Sequence, residues 1–124
     1  MNERSKAFLN EASKNLEFAK GELLKPSEDL VGFSVCKNSQ YAIENFLKGF
    51  LVKNDVEIEI NDTIASLYEK CIKVDSNFKD IEIKAISCKD SVIDERYCTK
   101  IDKISSCLDA ADNIDTYLRK KNLL

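Results

Sequence analysis

The chain has no histidine and no tryptophan, and only one proline, three glycines and one methionine in 124 residues. Each scarcity excludes something. Without an imidazole, the side chain best suited to general acid–base work near neutral pH is missing. Its absence also removes the commonest zinc ligand. The five cysteines, at 36, 71, 88, 98 and 107, contain no Cys-x-x-Cys pair, so a zinc site has poor support. So little glycine and proline cannot supply the many tight turns of a β-sandwich or barrel. No apolar run approaches the roughly 20 residues that span a bilayer. The N-terminal residues Met1 to Ala7 carry charges of both signs and no apolar core, unlike a secretory signal. The expectation is a cytoplasmic protein, away from the membrane, with free thiols. No glycine-rich phosphate loop, Ser/His/Asp set or aromatic–basic RNA platform is present, and no cofactor is expected.

What remains is a helix-forming composition. The chain is 44% hydrophobic and 33% charged, as expected of one globular domain over residues 1–124 with charged helix surfaces. Its net charge of −3 argues against a large electrostatic footprint for nucleic acid, although lysines could still cluster locally.

The apolar residues recur at helical spacing. Phe8, Ala12, Leu16, Ala19 and Leu23 predict a first helix over 3–24, ended by Pro26. Ser27 fits the cap of a second helix over about 28–54, with Glu28 and Asp29 in its first turn. Val56 to Ile60 alternates apolar and acidic residues, a strand period, but five residues cannot form a sheet alone, so an extended connector is expected. Asn61 or Asp62 would cap a third helix carrying Ile64, Leu67, Tyr68, Cys71 and Ile72, broken by Asp75 to Asn77. A fourth, weaker helix is predicted over 78–91 and a loop over 92–98. A last helix is predicted over 99–121, with Ile101, Ile104, Cys107, Leu108, Ala111, Ile114, Tyr117 and Leu118 on its apolar face. The fold class is all-α: an antiparallel bundle of four or five helices.

Two motifs stand out. Within the second helix, Gln40, Glu44 and Lys48 recur every fourth residue and line one polar stripe, while Ala42, Ile43, Phe46, Leu47, Phe50 and Leu51 form the apolar side. Glu44 and Lys48 are spaced either for an ion pair on one helix or to line a cleft. Before the last helix stands Asp94-Glu95-Arg96-Tyr97. The Arg96 guanidinium offers a planar fork of donors for phosphate or carboxylate, and Tyr97 a ring for stacking. Arg96 could instead pair with Asp94 or Glu44 inside the bundle. The acid pairs Asp109 with Asp112 and Asp112 with Asp115 lack a histidine or a convergent third ligand, so no metal is expected there.

Ser39-Gln40, Ala42, Glu44 and Leu47-Lys48, followed much later by Arg96-Tyr97, resemble the small all-helical HEPN family. The resemblance implies a HEPN-like bundle, found in prokaryotes beside minimal nucleotidyltransferases or as RNA-cleaving toxins. In catalytic members an arginine followed four to six residues later by a histidine forms the ribonuclease site, usually across a dimer. Here Arg96 is present and Asp102 stands where the histidine would be. An ordinary aspartate is a poor acid at neutral pH, so the resemblance implies a degenerate site. Asp62 aligns loosely with a histidine of many relatives. The reading is therefore a non-catalytic, homodimeric partner of a nucleotidyltransferase that binds nucleotide or RNA through Arg96, Tyr97, Gln40, Glu44 and Lys48. The alternatives are a ribonuclease toxin with a rearranged site around Arg96, Asp102 and Tyr97, and a plain helical interaction module. Phe33, Tyr41 and Phe50 are the residues expected on an exposed dimer stripe.

Overall fold

The structure, a computed structural model, describes residues 3–23, 32–81 and 101–121, without the side chains of 23, 32–34, 80 and 101–107. Four α-helices are described: α1 (Glu3–Leu23), α2 (Gly32–Lys53), α3 (Ile64–Val74) and α4 (Ile101–Lys120). No strand occurs among the described residues.

The α1–α2 hairpin is the spine. Leu9, Ala12, Leu16 and Ala19 of α1 are buried against Val35, Ala42, Phe46 and Gly49 of α2. Ser5 is buried as well and donates its hydroxyl to the Gly49 carbonyl at 2.7 Å. Asn45 donates its side-chain amide to Asn15 at 3.0 Å. Residue 5 opposite 49 and 15 opposite 45 make the pair antiparallel. Phe78 touches the rings of both Phe50 and Tyr117, at centroid distances of 4.7 and 4.9 Å, which brings the C-terminal ends of α2 and α4 together. Lys20 pairs with Asp112 at 2.9 Å. So α4 runs parallel to α2 and antiparallel to α1, as the long span before it permits. Its first turn lies at the end of the bundle where α2 begins.

At Gly49 the two spine helices approach closely. A Cβ there would stand 2.6 Å from Leu9 Cδ2 and 3.3 Å from the Ser5 carbonyl. Gly21, by contrast, has nothing within 4 Å of an added Cβ. The same substitution should therefore have opposite signs. Gly21→Ala gains roughly 0.5–1 kcal/mol of helix propensity. Gly49→Ala gains that too but must displace buried Leu9, and overpacking of about 1–3 kcal/mol outweighs it. Urea titration of the two variants reads both signs.

The C-terminus of α2 is a left-handed cap. Asp55 has φ of 61°, with its N–H on the Val52 carbonyl at 3.1 Å and the Val56 N–H on the Leu51 carbonyl at 2.9 Å. The segment after it has no regular structure over 56–59 and turns at 60–61: Val56 and Ile58 pack on the core and Ile60 faces solvent. The cap of α3 is neither Asn61 nor Asp62 but Thr63. Its hydroxyl accepts the Ser66 N–H at 3.1 Å, and Ser66 returns the bond to the Thr63 N–H at 2.8 Å. The expected fourth helix starts as a 3-10 turn, Ser76–Asp80, capped by the Asp75 carboxylate on the Asn77 N–H at 3.1 Å. Residues 82–91, the rest of that helix, lie outside the described residues, as do 28–31 and the loop 92–98.

Of the expected exposed stripe, Tyr41 is 38% exposed, but Phe50 is 5% exposed and packs on Phe78. The Phe33 side chain lies outside the described residues. No described helix is long and apolar enough to cross a membrane.

Candidate functional site

The α2 polar stripe does not stay on one surface. Four residues advance a helix by 400°, so each step from Gln40 to Glu44 to Lys48 rotates about 40° around α2. Gln40 is only 4% exposed and donates Nε2 to the Cys36 sulfur at 3.3 Å. Glu44 and Lys48 are half-buried and joined by a 2.8 Å ion pair. The Lys48 ammonium also lies over the Phe8 ring, 5.9 Å from its centroid. The structure thus pairs two of the five candidate residues and sets the third in the core beside them.

Next to Gln40, Ser39 is fully buried and its hydroxyl has no hydrogen-bond partner among the described residues. A buried hydroxyl left without a partner costs about 1–3 kcal/mol, and the sequence reading placed Ser39 in the family motif without assigning it a site role. Cys36 corrects the expectation of free thiols: it is disulfide-bonded. Cys71 is free and buried, and burial pushes its thiol up to about 12, which leaves it an inert core residue.

Arg96 and Tyr97 lie outside the described residues, and so does the side chain of Asp102. The backbone of Asp102 is in the first turn of α4.

Asp62 holds a different place from a helix cap. Its carboxylate accepts the Lys70 ammonium at 2.8 Å, the Glu59 N–H at 2.8 Å and the Ser66 hydroxyl at 2.8 Å. Lys70 and the other two donors hold its carboxyl down to about 2, against an ordinary 3.8. All its partners are supplied by the protein, which makes Asp62 a clasp of the 59–70 segment. A carboxyl depressed in the folded state contributes stability that is complete above its unfolded value, near pH 4, and is lost as pH falls toward 2. Asp62→Asn should therefore lower stability at pH 7 and flatten the fall in stability between pH 4 and 2. Urea midpoints across that range measure it.

A second clasp, at the far end of the bundle, went unnoticed in the sequence. The Tyr117 hydroxyl donates to the Asp75 carboxylate, and Lys121 pairs with the same oxygen at 3.1 Å. The Tyr117 hydroxyl, with Lys121 second, holds Asp75 below the usual carboxylate range, while burial pushes the Tyr117 phenol up. A phenol moved that way is no nucleophile, and the group ties α4 to the end of α3.

No group of three or more His, Cys, Asp or Glu that could hold a metal occurs among the described residues. The family model for the HEPN domain matches residues 3–121, nearly the whole chain. The chain belongs to the HEPN family. No curated protein and no solved structure matches it. Membership accounts for the all-helical architecture. The chain has no histidine anywhere.

Proposed function

We propose that this HEPN protein is a non-catalytic binding module: a homodimer that takes a nucleotide or RNA at the end of the bundle where α2 and α4 begin, and serves a minimal nucleotidyltransferase as a substrate-binding or regulatory partner. The observation that carries the reading is the complete absence of histidine in a HEPN chain that retains the arginine. Cleavage of RNA through its 2′-hydroxyl needs a base and an acid that work near neutral pH. An ordinary aspartate in place of the histidine can accept a proton but is a poor acid near pH 7. Arg96 keeps its charge at any relevant pH and still suits phosphate recognition. Tyr97 beside it offers a stacking surface. Of the three candidate residues on α2, Gln40 is the nearest to that end, and the Glu44–Lys48 pair continues away from it.

The test is overexpression together with co-purification. Growth should continue and cellular RNA should stay intact, and a tagged chain should retain a minimal nucleotidyltransferase expressed with it. Growth arrest with RNA cleavage, abolished by Arg96→Ala, would establish the ribonuclease instead. Absence of any nucleotide, RNA or nucleotidyltransferase binding would leave the plain interaction module.

A further inference from the structure

Cys36 is fully buried on α2 and disulfide-bonded. Its sulfur accepts the Gln40 amide at 3.3 Å, as a sulfur without a proton can. Cys71 is free. The other half of the bond is therefore one of Cys88, Cys98 and Cys107. The register of the described backbone separates these three. At one end of the bundle, Phe78 bridges Phe50 of α2 and Tyr117 of α4, which are 67 residues apart. Toward the other end, Lys20 meets Asp112. Lys20 is five residues beyond Asn15, which faces Asn45, so on antiparallel helices it stands at about the level of Gln40. Because α4 runs parallel to α2, the two offsets put Cys36 opposite residues from about 103 to 108 of α4. Cys107 falls in that window, whereas Cys88 and Cys98 precede the helix in the sequence. Position 107 also belongs to the inner face. It lies four, seven and eleven residues before Ala111, Ile114 and Leu118, all of them buried. Cys36 stands in the same way seven and eleven residues before buried Ile43 and Leu47.

We propose that Cys36 and Cys107 form a disulfide that ties α2 to the second turn of α4, so that the redox state of the surroundings sets the stability of the bundle. The bond forms by exchange with a small-molecule disulfide of the glutathione kind. Two S–H bonds break, one S–S bond forms, and the two protons and two electrons leave with the oxidant as two thiols. The bond closes a loop of about 70 residues, and a cross-link over so long a loop restricts the unfolded chain strongly. Arg96 and the rest of the stretch from 82 to 100 lie within that loop in the sequence. The proposal stands apart from the reading around Arg96, because no ligand enters its test.

The experiment is peptide mapping of the intact protein after equilibration with oxidised glutathione and capping of free thiols with N-ethylmaleimide. Lysines and arginines separate all five cysteines, so trypsin leaves each on its own peptide. The peptides of Cys36 and Cys107 should be joined, and those of Cys71, Cys88 and Cys98 should carry the cap. Reduction of the wild type should lower its urea midpoint by about 1 M or more. Cys107→Ala should lower the midpoint to a similar degree, and reduction should then add nothing. Cys88→Ala and Cys98→Ala should keep both the joined peptides and the response to reductant. Cys36 joined to Cys88 or Cys98, a Cys36–Cys36 link between two chains, or five capped thiols would overturn the pairing. A wild-type midpoint that reduction does not move would overturn the link between redox state and stability.

Discussion

Replacing Phe78 by alanine should cost about 3–5 kcal/mol, the range for removing a fully buried aromatic. Phe78 has no exposed surface, packs tilted against Phe50 and meets Tyr117 edge-on. It belongs to the short Ser76–Asp80 turn rather than to a long helix, yet it joins α2 to α4. The turn is further fixed by the Tyr68 hydroxyl, which lies 3.0 Å from the carbonyls of both Phe78 and Ile81. Neighbours tied in this way cannot collapse into the vacated volume, so the cavity persists and the cost sits high in the range. A domain of this size has about 5–15 kcal/mol of stability in all, so the loss is a large share of it. Urea unfolding of Phe78→Ala beside Phe78→Leu reads the effect. The leucine variant should lose much less. A loss under about 1 kcal/mol for alanine would mean that Phe78 does not bridge the two helices.

The second large effect concerns chemistry. Asp102→His restores to this HEPN chain the arginine–histidine spacing of its catalytic relatives, as Arg96 and residue 102 are six apart. The wild-type chain should leave RNA intact. The variant should cleave it, with a gain on the order of 10²-fold or more over wild type, the usual contribution of a positioned acid–base group. Cleavage should vanish again when Arg96→Ala is added. Position 102 is in the first turn of α4, where an aspartate favours the helix dipole, so the exchange should cost under about 1 kcal/mol. Fold disruption therefore does not mask the readout. RNA cleavage by the wild type at a rate matching the variant would show that Asp102 already performs the histidine's task.

The helices were legible because their apolar faces are regular. Ala42, Ile43, Phe46 and Leu47, and Leu108, Ala111, Ile114 and Leu118, all reach the core. Caps were less legible. Asn61, Asp62 and Thr63 are all good capping residues by type, and only the reciprocal bonds between Thr63 and Ser66 select the third. Phe78 and Ile81 are three apart, a spacing that suits a 3-10 turn as well as an α-helix. Phe50 was expected on the surface because nothing local to α2 reveals that Phe78, 28 residues later, covers it. The candidate site divides in the same way. The Glu44–Lys48 pair follows from spacing alone. The burial of Gln40 does not, since a four-residue stripe drifts around the helix by an amount that only the packed neighbours turn into burial. The Asp75–Tyr117–Lys121 clasp joins residues 42 and 46 positions apart, and no local pattern announces it.

The most direct test is sedimentation and isothermal titration of the pure protein, alone and with a panel of nucleotides and short RNAs, comparing wild type with Arg96→Ala. The account predicts a dimer that binds a phosphate-bearing ligand, leaves it uncleaved, and loses it with Arg96→Ala while the melting temperature stays the same. A chain that binds none of the panel, with Arg96→Ala lowering only its melting temperature, would contradict the account and make Arg96 a structural residue of the bundle.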